Sequence, residues 1–219
     1  MTIRRLIDAN NSYCSSILHT PSSISCVTES CSCFILAGGK STRFGKNKSL
    51  ALLGDQYMAS VVANNLQSAF GSTAKLVGAD EKTSIQLGLE SVIGARESNG
   101  PLAAIIDAME STTSSLVAFA PNDTPFFSAD NFAALLKKMG ESGSDAVVVV
   151  GDSSASRTHW LLSIWRKEPC LSILRNEYER GVRSVHGAVS DLKISKVEFD
   201  AASVRNINTV SELPNQGTI

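Results

Sequence analysis

The sequence predicts an α/β fold, a mainly parallel sheet with helices on both faces. Two observations carry that prediction. From residue 31 onward, short β-rich runs alternate with stretches of helical period, the pattern of strands joined by crossover helices. The run Leu116-Val-Ala-Phe-Ala120 is apolar throughout and reads as a buried strand.

The elements follow in order. Cys31 to Ala37 is a strand ending in Gly38-Gly39. Gln56 to Phe70 is a helix, with Met58, Val61, Val62, Leu66 and Ala69 at helical spacing. Ala74 to Gly78 is a short strand. Pro101 to Met109 is a helix whose first turn carries the proline, where a missing N–H costs nothing. The strand Leu116 to Ala120 leads into Pro121-Asn-Asp-Thr-Pro125. Ala129 to Met139 is a helix and Asp145 to Val150 a strand. Trp160 to Trp165 is the next strand, Glu168 to Glu177 and Ser184 to Val189 are helices, and Ile194 to Phe199 is the last strand. There is no internal repeat.

Residues 1–30 differ in character. Seven serines, with Asn10, Asn11, Thr20, Pro21 and Thr28, show no sustained period, so this stretch reads as a disordered N-terminal extension to a domain spanning 31–219. Four of the five cysteines lie at or before residue 33, but Cys31 and Cys33 form only a C-x-C pair without a partner pair at zinc-ribbon spacing. The odd count favours reduced thiols and a cytoplasmic location. Arg4 and Arg5 run into Asp8, Asn10 and Asn11, so no signal-peptide apolar region develops, and no apolar run is long enough to cross a bilayer. With 20 Lys+Arg against 21 Asp+Glu the net charge is −1, which leaves no global field for nucleic acid; any anion site must be built locally.

Such a site is written at the end of the first strand. In open α/β sheets ligands bind beyond the carboxyl ends of the strands. Leu36-Ala-Gly-Gly-Lys-Ser-Thr-Arg-Phe-Gly-Lys-Asn-Lys48 places two glycines directly after an apolar strand, where backbone N–H groups can approach a phosphate without Cβ interference. Arg43, Lys46 and Lys48 bring positive charge to the same loop. Gly-Gly alone would read as an ordinary turn with solvated lysines; the combination favours phosphate. Gly39-Lys40-Ser41 imitates the end of a Walker A loop, but the first glycine of that pattern would fall on Phe34, inside the strand.

These residues resemble the signature L-A-G-G-x-S-x-R-x-G-x-D-K of the MobA-like nucleotidyltransferases, most closely the molybdenum cofactor guanylyltransferases among them. Gly100-Pro-Leu-Ala-Ala104 is similar to the family's G-P-L-A-A helix start, Pro121-Asn-Asp-Thr-Pro125 to its P-x-D-x-P metal loop, and Asn206-Ile-Asn-Thr209 to its closing N-x-N-T segment. The resemblance spans residues 31–213 and implies a three-layer Rossmann-like nucleotidyltransferase fold. It implies transfer of GMP from GTP to the terminal phosphate of molybdopterin, with Mg²⁺ as cofactor and pyrophosphate released. It also implies a monomer that meets other cofactor-biosynthesis proteins transiently.

The resemblance assigns roles by position. Leu36, Ala37, Gly38, Gly39, Lys48, Glu97 and Asp123 would contact the nucleotide. Arg43, Lys48 and Asp123 would be catalytic, and Asp123 would hold the metal. Read without the family, Asp123 could equally be a turn or helix-capping residue, and Glu97 a solvated surface carboxylate. Arg183, Asn206 and Asn208 are candidates for the pterin side, with a structural hydrogen bond as the alternative for each. His159 stands where the family has a histidine entering a strand, and His186 reads as a surface residue. Two positions depart from the pattern. Asn47 replaces the Asp before the lysine, removing a carboxylate that could orient Lys48 or a metal, and Gly78 stands where guanylyltransferases can carry an asparagine for the base. Another triphosphate such as CTP, another phosphorylated acceptor, or a nucleotide-binding protein without catalysis are the alternative readings.

Overall fold

Strand β1 (Cys31–Leu36) alternates its side chains between two cores: Cys33 and Ile35 face one, Phe34 and Leu36 the other. A strand buried on both faces must be covered twice, and helices do so here. The computed structural model describes residues 29–38, 47–94, 96, 100–151 and 157–213. The remaining elements are the hairpin β2 (Leu52–Leu53) and β3 (Gln56–Tyr57), α1 (Met58–Phe70), β4 (Lys75–Val77), α2 (Glu81–Leu87), β5 (Ser91–Val92), α3 (Pro101–Glu110), β6 (Leu116–Pro121), α4 (Ala129–Ser142), β7 (Ala146–Gly151), β8 (Thr158–Arg166), α5 (Lys167–Glu179) and β9 (Ile194–Phe199). The extension read at residues 1–30 lies outside the described residues up to residue 28.

Seven strands form one sheet in the order β5-β4-β1-β6-β8-β7-β9, parallel except for β8, which runs against both its neighbours. The expected mainly parallel sheet is present. Helices α1 and α4 cover one face through Val62, Leu66, Phe132, Leu135 and Met139. Helices α3 and α5 cover the other through Leu102, Ile105, Ile106, Cys170 and Leu174, packed on Phe34, Phe119 and the fully buried Trp165. The chain reverses its direction of winding at β1, which has β4 on one side and β6 on the other, so a crevice opens beyond their carboxyl ends. Among the described residues no helix is long and apolar enough to cross a membrane. Cys31, Cys33 and Cys170 are buried free thiols.

Two readings need correction, and two elements add to them. Gln56 and Tyr57 are not helical: Gly54, with φ +66, makes a tight turn and both residues pair back onto Leu53 and Leu52. The expected helix Ser184–Val189 is only a 3-10 turn at His186–Ala188. Six residues that include Gly187 and two valines cannot meet the cost of helix nucleation, and the turn is held instead by burial of Val185, Ala188 and Val189. Helix α2 and strand β5 were not anticipated. Asp80 caps α2 by accepting the Thr83 N–H at 2.7 Å, and Gly88, with φ +64, ends it.

Candidate active site

The crevice beyond β1, β4 and β6 is built from segments that are far apart in sequence. Leu36 and Ala37 still belong to the sheet: Ala37 N–H donates to Val77 O at 2.9 Å, and the Leu36 carbonyl accepts the Asn122 N–H at 3.2 Å. Gly38 is where the chain leaves it, pressed against Gly78 at the end of β4. Gly78 has φ +79, and a Cβ there would stand 2.8 Å from Gly38 Cα. No side chain fits between Gly78 and Gly38, and backbone fills that space. Gly39 and Arg43 lie outside the described residues, as does Glu97.

Asn47 Oδ1 accepts the Ser49 N–H at 3.1 Å and caps a 3-10 turn over Lys48–Leu50. Ser49 is buried, and its hydroxyl accepts the Asn122 Nδ2 at 2.7 Å. Asn122 is the neighbour of Asp123, so the lysine turn and the P-x-D-x-P loop are tied together. Across this link Lys48 Nζ donates to Asp123 Oδ2 at 2.6 Å. Asp123 does not cap α4; Ser128 does, accepting the Asn131 N–H at 3.3 Å. Nor does its side chain close the loop, where Thr124 Oγ1 bonds Pro121 O at 3.0 Å. Its second oxygen, Oδ1, is buried without a hydrogen-bond partner among the described residues. A buried carboxylate oxygen left in that state is costly unless a cation or donor completes it.

The closing segment supplies the third wall. Ile207 is fully buried with Met58 and its N–H donates to Asp123 O at 2.9 Å, which sets Asn208 Oδ1 3.0 Å from Lys48 Nζ. Asn208 N–H is itself held by Glu212 Oε2 at 2.7 Å. That bond, chiefly, holds the Glu212 carboxyl below its usual range, with Lys48 adding to it. His159 enters β8 opposite Val149 and feels the Asp123 charge, but burial first, and Arg157 next, pull it below the usual histidine range. Arg183 is not brought to this group. It stacks at 4.1 Å over Tyr178 and donates to the carbonyls of Tyr178 and Val182, the structural alternative. His186 is exposed beside Trp160, as a surface residue.

One anchoring network escaped the sequence. Arg96, next to Glu97, donates to the buried Asp107 and, at 2.8 and 2.9 Å, to both oxygens of Glu110 on α3. Gly94 permits this, because a Cβ there would overlap Asp107. The signal was a Gly-x-Arg ahead of two carboxylates on one helix, Asp107 and Glu110, at i and i+3. Among the described residues no group of three or more His, Cys, Asp and Glu side chains could cage a metal. A site with one carboxylate suits a cation that keeps most of its ligands as water and phosphate.

The comparisons with known proteins agree with this fold. A molybdenum cofactor guanylyltransferase of Haemophilus influenzae (strain 86-028NP) is 28% identical over 195 residues, covering 85% of this chain and 97% of that protein. One from Rhizobium meliloti (strain 1021) is 35% identical over 137 residues, 60% of this chain and 61% of its own length. The crystal structure of molybdopterin-guanine dinucleotide biosynthesis protein A from Archaeoglobus fulgidus superposes with a TM-score of 0.67 at 22% identity, over 83% of this chain and 94% of that one, and shows the shared fold. The MobA-like NTP transferase domain family matches residues 33–192. With its largely parallel sheet and a family match that spans most of its length, the chain belongs to the MobA-like NTP transferase family.

Proposed function

We propose that this chain transfers GMP from GTP to the terminal phosphate of molybdopterin. An oxygen of that phosphate attacks the GTP α-phosphorus, the α–β bridging P–O bond breaks, and pyrophosphate leaves with the electron pair. The observation that carries the reading is the convergence of Lys48, Asp123 and Asn208, with one Asp123 oxygen buried and unpartnered. That oxygen fits Mg²⁺, and Asp123 would hold the ion, which when bound compensates charge on the triphosphate.

The chain's own groups do the rest. Backbone N–H groups from Gly38 and Gly39 cradle phosphate oxygens, and Leu36 and Ala37 set the direction in which that loop leaves the sheet. Lys48 is poised to move from Asp123 to the phosphates, with Asn208 keeping its ammonium oriented, and Arg43 adds a second positive charge. Glu97, which follows Arg96 in the sequence, is assigned to the nucleoside. In phosphoryl-type transfer, such positioning and charge compensation supply most of the catalysis. Buried free thiols at Cys31, Cys33 and Cys170 suit a reducing compartment, so we place the enzyme in the cytoplasm.

The test offers GTP, CTP, ATP and UTP separately with Mg²⁺ and molybdopterin, and identifies any dinucleotide by mass. GTP should give the guanine dinucleotide and pyrophosphate. Product from CTP alone would overturn the choice of nucleotide, and no product with any triphosphate would overturn the reaction.

A further inference from the structure

Asn47 is where the lysine motif departs from the family pattern, and its side chain is fully engaged. Because its Oδ1 faces the Ser49 N–H, the orientation of the amide is decided: only the oxygen can meet a backbone donor. Nδ2 therefore points the other way, and it donates to the Thr83 hydroxyl on α2. Thr83 is 2% exposed. Its N–H donates to Asp80, the cap of α2, at 2.7 Å, and its hydroxyl first, with that N–H next, holds the Asp80 carboxyl below its usual range. A hydroxyl has one proton, and here the carboxylate takes it, leaving lone pairs for Asn47. The donors thus run in one direction, from Asn47 to Thr83 to Asp80. On the other side of Lys48, Asn122 holds Ser49. The lysine backbone is gripped through both of its neighbours.

We propose that Thr83 is a positioning residue for Lys48, acting through the Asn47 amide, and that the direction of this hydrogen-bond chain requires asparagine at position 47. The proposal rests on the reading in which Lys48 serves the triphosphate. Aspartate at 47 would still accept the Ser49 N–H but would turn a second acceptor toward Thr83. The single hydroxyl proton cannot serve two carboxylates, and the second negative charge would face the first across one oxygen. Restoring the family's residue therefore lowers activity instead of raising it.

The full-length chain and its variants Asn47→Asp, Thr83→Val, Thr83→Ser and the double variant N47D/T83V test this. The first readout is pyrophosphate release with GTP, Mg²⁺ and molybdopterin, resolved into kcat and KM. The second is amide hydrogen exchange at Leu50 and Ala51, whose N–H groups bond Asn47 O and Lys48 O at 3.1 and 3.2 Å. N47D and T83V should each lower kcat about tenfold, the weight of one hydrogen bond, with a smaller change in KM, and should speed exchange at both amides. T83S, which keeps the hydroxyl, should match the unmodified chain, and the double variant should be no worse than the worse single one, since both cut the same link. N47D as active as the unmodified chain, T83S as impaired as T83V, or additive losses would each overturn the proposal. If the unmodified chain releases no pyrophosphate, the reaction reading fails by itself. Exchange then decides alone, and unchanged exchange in N47D and T83V overturns the positioning role.

Discussion

Lys48→Met keeps most of the aliphatic stem and removes the charge that faces Asp123. The two groups are 2.6 Å apart, with side chains 13% and 15% exposed. At an effective dielectric of about 20, Coulomb's law gives roughly 6 kcal/mol of gross attraction at that separation. Desolvation of two nearly buried charges offsets most of it, so the pair adds little to folding even though breaking it leaves one charge stranded. With both Asp123 oxygens then unpaired, we expect a stability loss of about 1–3 kcal/mol, the cost of a buried polar group left without a partner. The reaction should suffer more. Removing one preorganised positive group from developing phosphate charge costs about 10²–10³ in rate, roughly 3–4 kcal/mol. Urea denaturation measures the first effect and a coupled pyrophosphate assay the second. Asp123→Asn, run in parallel, should also stay folded and lose the reaction. A K48M enzyme turning over at the full rate would refute the reasoning. So would a rate loss accounted for by the unfolded fraction that denaturation reports.

Two further predictions concern the frame around that pair. Gly78→Ala forces a left-handed residue to carry a Cβ 2.8 Å from Gly38 Cα. The backbone term is about 1–2 kcal/mol and the overpacking about 1–3 kcal/mol, so urea denaturation should show a loss well beyond that of Gly71→Ala, where φ is +68 and no atom lies within 4 Å of the new Cβ. Equal losses would show that the Gly38–Gly78 contact carries no weight. Acidification should destabilise the fold in two stages. His159 is held below its ordinary value, chiefly by burial, so below about pH 6.5 the unfolded state binds the proton first and stability falls with pH. Glu110, held down by hydrogen bonds from Arg96 and then Arg175, contributes above the ordinary carboxylate range, and its contribution is lost as pH falls through its folded value. His159→Gln should flatten only the first stage in urea midpoints measured against pH; a curve parallel to the unmodified chain's would exclude His159 as its source.

The long buried strands and amphipathic helices were legible because their signal is repeated at many positions. Phe34, Phe119 and Trp165 fill one core while Ile35, Leu66 and Phe132 fill the other, and no single residue decides the pattern. The hairpin at 52–57 and helix α2 were not legible by that route. Each is short, and each depends on end groups, Gly54 for the hairpin and the pair Asp80 and Gly88 for α2. Arg96 was missed for another reason: its partners Asp107 and Glu110 only become partners once Gly94 lets the chain pass close to α3.

The two departures from the family pattern show the same dependence on neighbours. Taken alone, Gly78 is a lost side chain for the base and Asn47 a lost carboxylate beside the lysine. In the folded chain, Gly78 is the condition for Gly38 to lie where it does, since a side chain at 78 with φ +79 would push Gly38 away from β4. Asn47 is likewise the donor that a Thr83 already committed to Asp80 can accept, where a carboxylate could only compete. A motif position therefore has to be read with the group it meets. The fitting residue at 47 depends on which atom of Thr83 carries the free lone pair, and that in turn depends on the carboxylate capping α2.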